Sequence, residues 1–210
     1  MGKLMIEGKA SREYPYDLMK ISLKFWAKEG STTAALKKVT QQSEEFLEIM
    51  DSAGVKIEEF RIGEDSVENE KYSDKFSVKG ERELSICIPF NMDFLSFLRE
   101  TIQKNAYDAE IRTTYKFSDI EKIRKELIQL ALQDSKEKAE CIVQAMGQKV
   151  LGIKNITAGE SKHGMLQTKS NSRYEEDVGY YDSLLNILSR RVQAPVTTES
   201  ETVQVEWLIE

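Results

Sequence analysis

The sequence predicts an α+β fold, in which a mixed, mostly antiparallel sheet carries helices packed on one face and the third helix is long. Three observations lead to this class. Residues 18–27 and 203–209 alternate apolar and polar side chains with the period of a half-exposed strand. Residues 118–147 have the pattern of one long helix. Helices are also too few and too irregularly placed between strands for a doubly wound parallel sheet.

The long helix is the most informative segment of the sequence. Ser118 and Glu121 match a capping box at its amino end, and Gly147 lies where the helix is expected to stop. Small side chains recur every four residues between them, at Ala131, Ser135 and Ala139. Because one face of the helix carries only small side chains, we expect the helix to lie very close to the surface that it covers.

The first part of the chain is predicted to contain two strands and a helix. Strands at 3–7 and 18–27 flank a turn at 14–17, so they are expected to form a hairpin. A helix then begins at Gly30 and Ser31 and runs to about residue 53. Its predicted buried stripe consists of Ala35, Val39, Phe46 and Met50.

The rest of the chain alternates between strands and helices. We predict a strand at 55–62 and an acidic loop or mobile hairpin tip at 63–75. The next strand carries Leu84, Ile86 and Ile88 on one face, and Pro89 is expected at its edge or end. The remaining predicted elements are a helix from Asn91 to Asn105, a strand at 107–117, the long helix, a strand at 150–157 and the final strand at 203–209.

We predict one domain over residues 1–210, with residues 159–195 forming a polar insert. The insert contains a short amphipathic helix around 181–190. Its apolar side chains form a candidate interface: Tyr181, Leu184, Leu185 and Leu188. Docking of this helix onto its own domain and docking onto a neighbouring subunit both remain open.

Composition excludes several classes of protein. The net charge is −6, from 30 basic and 36 acidic residues, and a nucleic-acid binder usually shows a basic excess. No window reaches the about 18–20 continuous apolar residues of a membrane span. Residues 1–9 lack the apolar core of a secretion signal, so we expect a cytoplasmic protein. A chain trimmed of its leader would look the same.

The residue types that carry most chemistry are scarce. His163 is the only histidine and is expected to be a solvated loop residue, so catalytic triads and transition-metal sites lack their usual parts. We also interpret two acidic clusters as hydrated loop residues: Glu64, Asp65, Glu68 and Glu70, and Glu175, Glu176 and Asp177. The expectation is therefore no catalytic residue, no cofactor and no metal.

The two cysteines, Cys87 and Cys141, are expected to be reduced and partly buried. Cys87 alternates away from the apolar face of its strand and is the better candidate for a redox-active thiol. Cys141 lies deep in the long helix, beside Ile142 and Val143, and is the weaker candidate.

Several short patterns resemble those of a known family. A strand ends at Glu7 and Gly8, Asp17 precedes an alternating strand, and a helix bearing Ala34 and Ala35 closes at residues 53–55, Ala-Gly-Val. The late pattern is an alanine-spaced helix closed by glycine and followed by a strand: Ala131, Asp134, Ser135, Lys138, Ala139 and Gly147, then 150–156. In this order and spacing the chain resembles the SIMPL-domain family. The chain departs from the family pattern in two places. Tyr16 separates Pro15 from Asp17, and Ser135 stands where the family typically has an alanine.

The resemblance implies a modest set of properties. Relatives are α+β proteins linked to defence against oxidative stress, and many bacterial ones carry a secretion signal. At least one bacterial relative builds a ring or channel-like homo-oligomer, and an animal relative binds a receptor-associated kinase in innate signalling. No catalytic residues follow from it.

Two functional hypotheses therefore remain open. The first is a non-enzymatic, self-assembling protein of the SIMPL type with a role in stress defence, in which the insert and exposed sheet edges make the contacts. The alternative is an adaptor or small-ligand-binding protein in a stress or signalling pathway. Beside these two, a weaker third option is a thiol-based peroxide sensor that acts through Cys87.

Overall fold

A computed structural model describes residues 2–72, 75–158 and 193–210. In chain order its helices and strands are β1 (Gly2–Pro15), β2 (Leu18–Glu29), α1 (Thr32–Ser52), β3 (Arg61–Tyr72), β4 (Lys75–Pro89), α2 (Met92–Lys104), β5 (Ala109–Lys116), α3 (Ile120–Ala145), β6 (Val150–Ala158) and β7 (Val196–Ile209). The strands form two sheets in which every pairing is antiparallel. The α+β prediction is confirmed. The described residues divide into two compact units.

The first unit contains residues 2–16, 117–158 and 195–210. Its three-stranded sheet has the order β1-β7-β6, and α3 packs on one face of it. β1 pairs with β7 along its whole length, from Gly2 opposite Ile209 to Pro15 opposite Val196. The predicted hairpin of the first two strands is therefore wrong, because β1 pairs with a strand that lies far away in sequence.

The ends of α3 were predicted to within one residue. Its amino-terminal cap is Asp119, whose carboxylate accepts a hydrogen bond from the backbone N–H of Lys122. Ser118 is thus not the cap, since Asp119 supplies the acceptor one residue later. Gly147 terminates the helix with a φ of 68°, a left-handed conformation that glycine adopts without strain.

The second unit contains residues 17–72, 75–116 and 193–194. Its four-stranded sheet has the order β3-β4-β2-β5. Helices α1 and α2 contribute to one apolar core with β2 and β4, and the largest fully buried side chains of that core include Met19, Ile21, Leu23, Phe25, Phe46, Met50, Leu84, Ile86 and Leu98. The predicted faces of β2, α1 and β4 are therefore confirmed.

Caps and strand ends in the second unit also match the sequence. Ser31 and Asn91 cap α1 and α2 by accepting hydrogen bonds from backbone N–H groups three residues on. Gly54 follows α1 with a φ of 83°, and β4 ends at Pro89. These features depend on local residue chemistry, which is why the sequence predicts them well.

Two predicted segments differ from the structure. Residues 55–62 do not form a strand, because Ile57–Glu59 is a short 3-10 helix and β3 starts at Arg61. The loop predicted at 63–75 is wrong for residues 63–72 and 75, because β3 and β4 pair as a hairpin as far as Tyr72 and Lys75. Polar residues can occupy β3, since it is an edge strand and its residues 61–69 are mostly exposed.

Most of the predicted insert, residues 159–192, lies outside the described residues, as do His163 and the acidic cluster at 175–177. The single-domain organisation with an insert stays a prediction.

Candidate functional site

The helix α3 lies unusually close to the three-stranded sheet. Ala131, Ser135 and Ala139 are fully buried on its inner face, as their spacing predicts. Beneath them lies Gly8 of β1, where an added Cβ would overlap the carbonyl oxygen of Ala131 and come within 2.8 Å of Ser135 Cβ. Glycine is therefore required in the strand, because the backbone of the helix occupies the space of a side chain.

The close approach lets side chains of α3 reach the outer edge of β1. The backbone N–H of Lys9 donates to the carboxylate of Asp134, with 2.8 Å between N and Oδ2. The ammonium group of Lys138 donates to the carbonyl oxygen of Glu7 at 3.3 Å and forms a 2.6 Å salt bridge with Asp134. Both bonds lower the pKa of Asp134, the one from Lys138 more than the one from Lys9. An edge strand normally leaves such backbone groups open, so this pair of side chains closes the middle of the β1 edge.

Among the described residues of this unit, α3 leaves the opposite edge of the same sheet uncovered. Helix α3 lies mainly over β1 and β7 and contacts β6 little. Leu151, Ile153 and Ile156 of β6 remain 49%, 47% and 45% exposed. By register, Ile153 and Ile156 lie opposite Trp207 and Val205, two buried residues of β7 on the face that α3 covers.

An irregularity in β6 gives Ile153 and Ile156 a common face. In a regular strand, two residues that are three positions apart lie on opposite faces. The register with β7 shifts between Ile153 and Asn155, so Ile153 and Ile156 both lie on the α3 side. We call the pair Ile153 and Ile156, together with Leu151, the β6 apolar edge. Beside it the ammonium group of Lys154 lies 3.3 Å from the carboxylate of Glu206, which also lies 3.5 Å from the ammonium group of Lys3.

The open face of the four-stranded sheet carries a network of charged side chains. The carboxylate of Glu81 lies 2.5 Å from Lys24 Nζ and 2.7 Å from Lys79 Nζ, and Ser66 donates to it at 3.2 Å. Lys79 also lies over the ring of Trp26, 5.7 Å from its centroid. Burial acts to raise the pKa of Glu81, but the two ammonium groups outweigh burial and lower the pKa to about 2.

The thiol of Cys87, the candidate for redox activity, is accessible to solvent. Cys87 lies on the open face of β4 and is exposed, as its alternation predicts. Cys141 is also exposed, so the expectation that both thiols are partly buried is wrong. The candidate interface at Tyr181, Leu184, Leu185 and Leu188 lies outside the described residues and stays a prediction.

The described acidic side chains of this cluster, Glu64, Asp65 and Glu68, do not form a single site. By register with β4, Asp65 and Glu68 lie on opposite faces of the sheet, and the two carboxylate oxygens of Asp65 accept hydrogen bonds from Arg82 at 2.8 Å and 2.6 Å. Within residues 2–72, 75–158 and 193–210, no group of three or more His, Cys, Asp or Glu side chains is placed to hold a metal ion.

Sequence reasoning missed both edges of the three-stranded sheet. The acid–base pair of Asp134 and Lys138 is visible in the sequence with helical i,i+4 spacing, but pairs of this kind are common on helix surfaces. The three-residue spacing of Ile153 and Ile156 could have indicated a bulge only if the neighbouring strand were known. That neighbour, β7, begins 38 residues after the end of β6.

The comparisons with known proteins bear on the chain as a whole. None of the three described helices is long and apolar enough to cross a membrane. No curated protein matches the chain. The sequence model of SIMPL, described as a protein of unknown function (DUF541), matches residues 4–207. Because that match spans both described units and nearly all of the sequence, the chain belongs to the SIMPL family.

Proposed function

We propose that the chain is a non-enzymatic protein that self-assembles into a homo-oligomer, and that the β6 apolar edge makes the contact. The observation that carries the proposal is the exposure of Leu151, Ile153 and Ile156 at an edge strand that α3 leaves uncovered. Large apolar side chains grouped at a sheet edge favour burial against another surface.

A second copy of the chain is the partner that fits this edge best. The described side chains that β6 places on the α3 side, by register with β7, carry no charge: Val150, Ile153 and Ile156. Two identical apolar surfaces can meet about a two-fold axis without bringing like charges together. Burial of an isoleucine that is about half exposed contributes on the order of 1 kcal/mol per side chain.

The other exposed apolar edge is less suited to self-association. Ile62 and Val67 of β3 are 65% and 41% exposed, but Glu64, Asp65 and Glu68 lie among them. Two copies of β3 would therefore bring carboxylates together, which opposes pairing. This edge serves as a natural comparison for β6.

Sedimentation equilibrium of the full chain tests the assembly. The wild type is expected to associate at micromolar concentration, and the double variant Ile153→Lys with Ile156→Lys is expected to remain monomeric. The matched control is Ile62→Lys with Val67→Lys, since it adds the same two charges at exposed apolar residues of an edge strand and should leave association unchanged. A monomeric wild type would overturn the proposal, and so would a double variant that associates as the wild type does.

A role in stress defence is part of the proposal and is suggested by the family resemblance. It predicts that a strain lacking the protein loses peroxide tolerance, and that the wild type restores tolerance while the assembly-deficient double variant does not. If the wild type and the double variant restored peroxide tolerance equally, the role in stress defence would not require assembly. A monomeric wild type that captures another protein from stressed cells would support the alternative, an adaptor or small-ligand-binding protein.

A further inference from the structure

The β1 edge has a charge pattern that complements itself. Lys3, Glu7, Lys9 and Glu13 lie on the face of β1 away from α3, because the alternating residues Leu4, Ile6 and Ala10 pack toward the helix. If β1 of a second copy pairs antiparallel with this strand so that the two Gly8 residues are opposite each other, Lys3 lies opposite Glu13 and Glu7 lies opposite Lys9. Each acid of one strand then faces a base of the other, an arrangement that stabilises cross-strand pairs.

The backbone N–H and C=O groups of β1 also point in the directions that this pairing needs. In an antiparallel ladder, alternate residues direct both N–H and C=O to the same side. Lys9 N–H and Glu7 C=O point away from β7, since Asp134 and Lys138 of α3 bind them. Pairing about Gly8 would set Glu7 of one copy opposite Lys9 of the other, so that these same backbone groups would form the central hydrogen-bonded pair.

We propose that the β1 edge is a latent interface for β1 of a second copy, held closed by Asp134 and Lys138. The two side chains occupy the central N–H and C=O groups that an incoming strand needs. They are also bonded to each other at 2.6 Å, which holds both over the edge. Opening this pair exposes a strand whose charges and backbone groups match its own copy.

This inference goes beyond the proposed function and does not depend on it, because it concerns the opposite edge of the sheet. The test is therefore made in the full chain carrying Ile153→Lys and Ile156→Lys, so that the β6 apolar edge cannot contribute. In this background Asp134→Ala with Lys138→Ala is expected to shift the sedimenting species from monomer to dimer.

Two controls separate edge opening from loss of a helix salt bridge. Lys136→Ala with Glu140→Ala removes an i,i+4 pair from the exposed side of the same helix, where the charged atoms are 3.8 Å apart, and should leave the monomer unchanged. With Lys138→Ala present in both proteins, Asp134→Asn keeps an oxygen that accepts from Lys9 N–H and should dimerise less than Asp134→Ala. Thermal unfolding of each variant confirms that the fold is retained.

A charge swap identifies the surface that pairs. Adding Lys9→Glu to the opened variant places two acids in each central pair and should abolish the dimer, and adding Glu7→Lys as well should restore it. A monomeric opened variant that retains its unfolding transition would overturn the proposal. A dimer that persists with Lys9→Glu alone would also overturn it, because β1 would then not be the contact.

Discussion

The indole N–H of Trp207 donates a hydrogen bond to the hydroxyl of Ser135, with 3.0 Å between Nε1 and Oγ. Both residues are buried, and the bond joins the middle strand of the three-stranded sheet to the inner face of α3. Ser135 therefore does more than allow close packing. It supplies the acceptor that a buried tryptophan N–H needs.

Replacing Ser135 by Ala should lower the free energy of unfolding by about 1–3 kcal/mol, because the indole N–H is left buried without an acceptor. Urea denaturation measures this change. Combining Ser135→Ala with Trp207→Phe removes donor and acceptor together, so the two effects should not add. Full additivity would contradict the assigned role of the hydrogen bond.

Gly8→Ala should destabilise the fold by at least about 3 kcal/mol, because the new methyl group overlaps the backbone of α3 at Ala131 and the helix must move. The matched control is Gly152→Ala in β6 of the same sheet, where an added Cβ meets nothing within 4 Å. Thermal unfolding of the two variants makes the comparison. Equal stability of both would mean that α3 does not approach the sheet as closely as described.

The local features of the fold could be predicted from sequence because neighbouring residues determine them. The small-residue face of α3, the cap at Asn91 and the alternating faces of β2 and β7 are of this kind. The pairing of β1 with β7 could not be predicted, since it joins the two ends of the chain and no local pattern specifies a distant partner. The local pattern accordingly predicts the end of a strand at Gly8, whereas Gly8 lies inside β1 and makes room for the backbone of α3.

The exposure of Cys141 could have been predicted from helix geometry. Successive residues of a helix are 100° apart, so Cys141 lies about 200° from the buried Ala139, on the opposite side. Its apolar neighbours Ile142 and Val143 suggested burial, but Ile142 is itself 39% exposed. Adjacent residues in a helix do not share a face, so the apolar residues next to Cys141 do not predict its burial.

Both cysteines should react with a thiol reagent such as dithionitrobenzoate in the folded protein, because both are exposed. Titration without denaturant should consume one equivalent for Cys87 and one for Cys141. The variant Cys87→Ser should lose one equivalent and leave the other unchanged. A thiol that reacts only after unfolding would contradict the exposure described for it.

Glu81 should make stability depend on pH in the acid range. Its pKa is lowered from 4.5 to about 2 in the folded state, so its ionised form stabilises the fold above pH 4.5 and that contribution is lost as the pH falls toward 2. The contribution is on the order of 1 kcal/mol, since solvent screens ion pairs near the surface. Glu81→Gln should lower the free energy of unfolding at neutral pH and should make that free energy fall less between pH 4.5 and 2.

Urea denaturation at several pH values follows the effect of Glu81→Gln. The control is Glu83→Gln, which neutralises the next residue on the same face of β4. We expect a smaller change at neutral pH for this control than for Glu81→Gln. Equal effects of the two substitutions would indicate that net charge, rather than the contacts with Lys24 and Lys79, sets the acid stability.

Hydroxyl-radical footprinting at increasing protein concentration tests most directly whether copies of the chain meet at β6. Labelling of Leu151, Ile153 and Ile156 should decrease as the concentration rises, while labelling of Ile62 and Val67 on β3 stays constant. Constant labelling of the β6 residues in a solution where the protein is associated would contradict the account.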